Sequence, residues 1–191
     1  MNNGIIEEYK QILSSRLTEK RYYHSLCVAD EARRLSLKYG GDTQVCFLAG
    51  LLHDITKNAE DDEHLKIFET FGIMLNDIEK NAKKLWHAIS GAAYIQNVLN
   101  IDNEELLDAV RYHTTAKKDM SLTAKILYLA DFTSKDRDYE DVDVIRGLVD
   151  ESLDEALIYA LKYSITDLVG QSRPIHPDTT DAYNAALLGG K

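Results

Sequence analysis

Proline is almost absent from this chain. Of 191 residues only Pro174 and Pro177 are proline, so nothing upstream of them removes a backbone N–H and breaks a helix. Cysteine is as scarce: Cys27 and Cys46 are too few and too far apart for a Cys-x-x-Cys metal site or a disulfide framework. Both are expected reduced and buried as small apolar side chains. No apolar run approaches the roughly 18 residues of a membrane-spanning helix, and Met1 to Glu8 lacks a basic region followed by an apolar stretch. A cytoplasmic protein with no membrane partner is expected. Positive charge is also in short supply, 22 Lys and Arg against 32 Asp and Glu, a formal charge of −10. That argues against nucleic acid as partner, since binding a phosphate backbone is driven by Lys and Arg displacing counterions. A small polyanion stays open if positive potential is concentrated locally.

The chain has 45% hydrophobic and 28% charged residues, a globular composition. No Pro-, Gly- or Ser-rich linker divides it, so residues 1–191 are read as one domain. Apolar residues recur at helical spacing from Ile5 to Leu17, from Arg21 to Tyr39, and from Gln44 to about Asp54. The third of these is apolar nearly all round and is expected to be central. Further helices are expected near His64 to Phe71, over most of Asn76 to Leu99, and after an Asp102 cap through Tyr112. Others should run from Ser121 to about Phe132, from Val142 to Asp150, from a Ser152 cap to Val169, and from Thr179 or Thr180 onward. No strand pattern competes with these periods. The fold class is all-α, a helical bundle.

The apolar helix ends in Leu51-Leu52-His53-Asp54, two polar groups that are costly to bury without partners. His24 lies at the start of a buried helix, and Asp131 closes the apolar run Ile126 to Ala130, another carboxylate needing a cation or donors. Neighbouring helical residues diverge by about 100°, so His53 and Asp54 can share one ion only at a frayed helix end, or with one reaching a second ion or a water. His24, His53, Asp54 and Asp131 form a His₂Asp₂ set without thiolates, suited to Fe, Mn, Co, Ni or Zn rather than Ca or Mg. A divalent ion there lowers the pKa of a bound water toward neutrality. His64, within Asp-Asp-Glu-His-Leu-Lys, is read as a solvated surface imidazole.

The separated His, the adjacent His-Asp and the distant Asp resemble the HD-domain metal-dependent phosphohydrolases. Within that helical superfamily, several stretches are similar to the YqeK branch, described as iron-dependent hydrolases that split diadenosine tetraphosphate symmetrically into two ADP. They are His53 to Lys57, Arg111 to Thr115, Tyr128 through Arg137, and Ile175 to Thr179 with Ala182-Tyr183-Asn184. The similarity runs from about Arg21 to Asn184, with an HD core of about 21–137 followed by carboxy-terminal helices over about 142–191.

The resemblance implies that His24, His53, Asp54 and Asp131 bind a divalent metal, with iron first. His87 and His113-Thr114 would face the phosphates or a second metal position. Lys57 and Arg137, with Arg21 one turn before His24, would neutralise phosphoryl charge, and Asp54 would also orient the attacking water. Pro174, Ile175, His176, Pro177, Asp178 and Thr179 would wrap the nucleotide, diadenosine tetraphosphate or ADP. On the residues alone, Lys57 and Arg137 can equally be solvated charges and the Pro-Ile-His-Pro stretch a connector. One departure stands out: where the branch often reads Ile-Glu-Pro before the Arg, this chain has Thr133-Ser134-Lys135-Asp136. The rivals are another HD phosphohydrolase, such as a deoxynucleotide 5′-phosphatase or cyclic-dinucleotide phosphodiesterase, and a non-catalytic nucleotide sensor. A homodimer is compatible with all of these.

Overall fold

A computed structural model describes residues 3–189. Among them lie eleven α-helices and one 3₁₀ turn, with no strand: α1 Asn3–Arg16, α2 Glu19–Tyr39, α3 Thr43–Leu52, α4 Asp61–Thr70, α5 Asp77–Asn81, the turn Lys83–Leu85, α6 Trp86–Asn97, α7 Glu104–Tyr112, α8 Leu122–Thr133, α9 Val142–Glu151, α10 Leu153–Gly170 and α11 Pro177–Gly189. The expected all-α class is what the chain adopts. No helix of the described residues is long and apolar enough to cross a membrane.

Local chemistry sets most of the boundaries. Thr18 caps α2 by accepting the Arg21 N–H, so the helix expected from Arg21 begins two residues earlier, at Glu19. Gly40 closes α2 in the left-handed region at φ 76°. Asp42, Ser121 and Ser152 cap α3, α8 and α10 through their side-chain oxygens. Asn103 caps α7 in place of the expected Asp102, which instead accepts from Gln96. α11 starts at Pro177, earlier than expected, because proline suits a first helical position where no N–H is required.

The long helix expected over Asn76 to Leu99 is broken. Asn76 and Glu79 form a reciprocal capping box on α5, and the Trp86 indole N–H then donates to the Glu79 carbonyl at 2.7 Å. That carbonyl is lost to a continuing helix, and the chain turns before α6.

One cluster of buried apolar side chains extends from Leu13 to Ala182 and takes residues from α2, α3, α7, α8, α9 and α10. Leu35 faces it while Leu37 is exposed. α3 sits at its centre, with Cys46, Leu51 and Leu52 fully buried. Gly50 allows α3 to lie directly on α2: a β-carbon there would stand 2.8 Å from the Ala29 Cα and 2.9 Å from the Val28 carbonyl oxygen. A smaller cluster of Phe68, Trp86 and Ile89 fixes α4 on α6. Both cysteines are free and buried.

Candidate metal centre

Helix α3 stops at Leu52, and His53 and Asp54 lie in the turns that follow. Past the regular helix, where the backbone bonds tighten to Ile55 N–H to Leu52 O and Lys57 N–H to Asp54 O, the adjacent pair converges, with His53 Nε2 3.3 Å from Asp54 Oδ2. Both side chains are essentially out of solvent. The close α2–α3 contact brings the His24 ring to 5.4 Å from the His53 ring, and α7 ends so that the His113 ring is 5.0 Å from His53 on its other side. α8 delivers Asp131 to His24, with Oδ1 at 2.9 Å from Nε2.

The expected set of four thus divides. The ligand atoms of His24, His53 and Asp131 lie within 4.8 Å of one another, and so do those of His53, Asp54 and His113. Asp54 therefore groups with His113 rather than with His24 and Asp131. His87, from the first turn of α6, joins this second group, its Nε2 3.2 Å from Asp54 Oδ1 and 3.1 Å from His113 Nε2.

The imidazoles are turned for ligation. His53 Nδ1 donates to the Gly50 carbonyl and His113 Nδ1 to the Val110 carbonyl, both at 2.7 Å. These carbonyls belong to the last turns of α3 and α7, where the helix itself offers no partner. With the proton on Nδ1, each ring presents its Nε2 lone pair to the centre. His53 Nε2 and Asp54 Oδ1 are out of solvent with no hydrogen-bond partner. Leaving such atoms unpaired costs about 1–3 kcal/mol each, and a divalent cation engages both lone pairs. The donor set fits a first-row ion, with imidazole nitrogen and carboxylate oxygen and no thiolate.

The electrostatics are those of a centre that attracts positive charge: despite its burial, His53 is held above the usual histidine value by Asp54 and Asp131. Burial opposes ionisation of Asp54, but His53, His87 and Lys57 outweigh it and hold the carboxyl well below its ordinary range. Asp131 follows the same pattern, burial being overcome by Arg137 and His24. Burial, reinforced by His53 and His87, keeps His113 neutral, well below the usual histidine value.

The cations expected at the phosphates line this centre. Arg21 Nη1 donates to Asp54 Oδ2 at 2.9 Å, and Lys57 Nζ is 3.7 Å from Asp54 Oδ1 and 3.0 Å from His87 Nε2. Arg137 bonds Asp131 through both its carbonyl, at 2.7 Å, and its carboxylate. Lys57 and Arg137 are about one third exposed, so they are not free surface charges. Thr114 is next to His113, and its hydroxyl is buried without a partner. From Thr114 and Thr115 a cavity of about 530 Å³ opens, lined also by Lys80, Lys83, Lys84, Arg173, Pro174, His176 and Thr179. The Pro-Ile-His-Pro stretch is therefore a wall as well as a connector. Of its expected contacts, Ile175, Pro177 and Asp178 do not line the cavity. His176 is directed away from the metal groups, its Nε2 3.0 Å from Asn76 Nδ2, while the Asp178 N–H donates to its Nδ1.

A family model described as HD domain matches residues 21–136. The chain belongs to the HD domain family. Two relatives match almost end to end, each named a symmetrical bis(5′-nucleosyl)-tetraphosphatase. One, from Bacillus subtilis (strain 168), is 32% identical, covering 96% of this chain and 98% of its own. The other, from Halalkalibacterium halodurans, is 35% identical, covering 98% of each. A crystal structure from Clostridium acetobutylicum, described as a predicted HD superfamily hydrolase involved in NAD metabolism, superposes with a TM-score of 0.93 at 33% identity, covering 96% of this chain and 97% of the other. The HD domain boundaries enclose His24, the His53-Asp54 pair and Asp131, and leave the wall from Arg173 to Thr179 to the later helices.

Three other polar groups were misread or unnoticed in the sequence. His64 is buried, not solvated: its Nδ1 is 2.8 Å from Ser90 Oγ, itself 2.8 Å from Thr56 Oγ1, which donates to the His87 carbonyl. The signal was there, because His64, Ile67 and Phe68 share one helical face behind the exposed Asp61 and Asp62. Glu79 is a buried carboxylate paired with Arg111. Asp136 meets the ring of His24, and nothing in the spacing of a charged loop announces that contact.

Proposed function

We propose that this metal-dependent HD hydrolase cleaves diadenosine tetraphosphate symmetrically, water adding to one inner phosphorus as the anhydride bond to the neighbouring phosphate breaks, giving two ADP. The observation that carries the reading is the buried pair His53 Nε2 and Asp54 Oδ1, neither with a hydrogen-bond partner, with Arg21 and Lys57 at Asp54 and Arg137 at Asp131 in a protein otherwise short of positive charge. The names of the full-length relatives support the same substrate.

His24, His53 and Asp131 would hold one divalent ion, and Asp54, His87 and His113 a second position. Such an ion supplies an acidified water and draws charge from the phosphoryl oxygens. The chain's own residues do the rest. Asp54, ionised and acceptor-only, orients the attacking water through whichever oxygen the ion leaves free. Lys57 and Arg137 take up the negative charge that builds on the phosphoryl oxygens, with Arg21 beside them. Thr114 offers its unpaired hydroxyl to a phosphate at the mouth of the cavity, and the walls of Leu85, Leu168 and Pro174 receive one nucleoside. Lys84 and Arg173 stand where they can follow its phosphates.

We take the native ion to be iron, the setting cytoplasmic, and the chain to work as one domain whose later helices supply the nucleotide wall. Anomalous scattering at the Fe, Mn, Co, Ni and Zn edges of an unstripped crystal identifies and counts the ions. The substrate is tested with metal-loaded enzyme on dinucleoside polyphosphates, deoxynucleoside monophosphates and cyclic dinucleotides. ADP as the sole product of diadenosine tetraphosphate is expected; AMP plus ATP overturns the symmetrical reading.

A further inference from the structure

His24 differs from His53 and His113 in how its second nitrogen is held. His53 and His113 stand at helix ends and tie Nδ1 to a carbonyl three residues back. His24 lies inside α2, where the carbonyls of the preceding turn are engaged in the helix. It needs a partner from elsewhere, and the loop after α8 brings one: Asp136 Oδ2 is 2.7 Å from His24 Nδ1, 112 residues away in sequence.

That loop is built onto α2. Thr133, the last residue of α8, donates through Oγ1 to Glu31 Oε1 at 3.0 Å, Lys135 Nζ lies 5.6 Å from the centre of the Tyr23 ring, and Asp136 meets His24, so the end of α8 and the loop after it are seated along two turns of α2. Arg146 of α9 fixes the loop backbone from behind by donating to the carbonyls of Thr133, Ser134 and Arg137, at 3.2, 2.9 and 2.9 Å. Asp136 belongs to neither ligand group, and its side chain is largely buried.

We infer that Asp136 is a positioning residue for the metal: it fixes the His24 ring and keeps the proton on Nδ1, so that Nε2 is the nitrogen offered to the ion beside Asp131. An ionised carboxylate only accepts hydrogen bonds, so the proton between the two belongs to the imidazole. A carboxylate behind a ligating imidazole orients it and raises its basicity. The backbone carbonyls behind His53 and His113 orient their rings without that charge, so of these three ligands His24 alone depends on a replaceable side chain for the hold on its second nitrogen.

The test uses Zn²⁺ as a diamagnetic probe, titrated in competition with a chromophoric chelator against the wild-type chain, Asp136→Asn and Asp136→Ala. Asp136→Ala should bind Zn²⁺ about 10–100-fold more weakly. Asp136→Asn should lose less, because its amide oxygen still accepts the Nδ1 proton but brings no charge. Imidazole ¹⁵N shifts of the Zn²⁺-loaded proteins should report His24 bound through Nε2 in wild type and Asp136→Asn, and a mixed or altered state in Asp136→Ala. Zn²⁺ affinity within twofold of wild type in Asp136→Ala overturns the inference. So does an equal loss in both variants accompanied by equal falls in Tm of the metal-free proteins, which marks a loop anchor only. The inference rests on the metal reading above, and the two fail differently. A wild-type chain that binds no Zn²⁺ removes the metal centre itself, whereas a wild type that binds and an Asp136→Ala variant that matches it remove only the role of Asp136.

Discussion

Gly50 and Ala29 touch backbone to backbone, and the centre depends on that contact: a β-carbon at position 50 would come within 2.8 Å of the Ala29 Cα. Helix α2 carries His24 and α3 runs into His53, so the separation of these helices is also the separation of the two imidazoles. Neither neighbour at Gly50 is a flexible side chain that could swing away. Gly50→Ala should therefore destabilise the chain by about 1–3 kcal/mol, as overpacking does, and lower Tm by several °C. It should also weaken divalent-ion binding, because the strain is relieved by moving α3. Differential scanning calorimetry of the metal-free and metal-loaded protein checks both effects.

Asp54→Asn keeps the shape of the side chain and removes its charge. The remaining amide cannot match a carboxylate facing His53, His87 and Lys57. Turnover of diadenosine tetraphosphate should fall by more than about 100-fold, a loss of transition-state stabilisation rather than of substrate affinity. Chelation of the wild-type protein should abolish turnover to the same level, and a divalent ion should restore it in the wild type alone. Steady-state kinetics before and after chelation measures all three.

Glu79 gives a pH signature outside the metal centre. Burial works against its ionisation, but the Asn76 N–H and the Arg111 guanidinium outweigh burial and leave its carboxyl below its ordinary range. A folded-state pKa below the unfolded one adds stability that is fully present above the unfolded value and is lost as the pH falls through the folded value. Glu79→Gln should thus be less stable than wild type at pH 7 by about 1–3 kcal/mol. The gap between the two should close below about pH 4. Tm measured from pH 3 to pH 7 for both proteins isolates Glu79 from the aspartates that titrate in the same range.

Lys84 and Arg173 line the same cavity as Thr114. If they follow phosphates of the bound nucleotide, the double substitution Lys84→Ala, Arg173→Ala raises KM for diadenosine tetraphosphate roughly 5–20-fold with kcat little changed, the mark of binding shared by ground and transition states. An unchanged KM places the substrate elsewhere.

What the sequence discloses follows from what each signal measures. Helical periodicity and short polar caps are local, so α2, α3, α8 and α10 are legible almost to the residue, and the charge of Asp131 behind an apolar run is enough to mark it as paired. The break after α5 is not legible, because it depends on the Trp86 indole taking the Glu79 carbonyl, a choice made in three dimensions. The division of the ligands into two groups is hidden for the same reason: sequence spacing cannot tell that α7 delivers His113 to the side of Asp54. His64 was hidden by its neighbours' charge, though its helical face was readable. Asp136 sits in an irregular loop whose path is set by Arg146, and no periodicity reports such a path.

The contacts behind His24 carry a consequence for folding. Its two carboxylate partners lie 107 and 112 residues downstream, so the first ligand group cannot assemble from any local segment. Closures of such long range are slow, because the entropy of the intervening chain is lost before the contacts are gained. An ion that binds only the finished arrangement stabilises it by RT ln(1 + [L]/Kd) and gives almost nothing to a partly folded chain. The metal then acts on unfolding more than on folding: its loss from a mature protein should speed unfolding while leaving the refolding rate close to that of the metal-free chain.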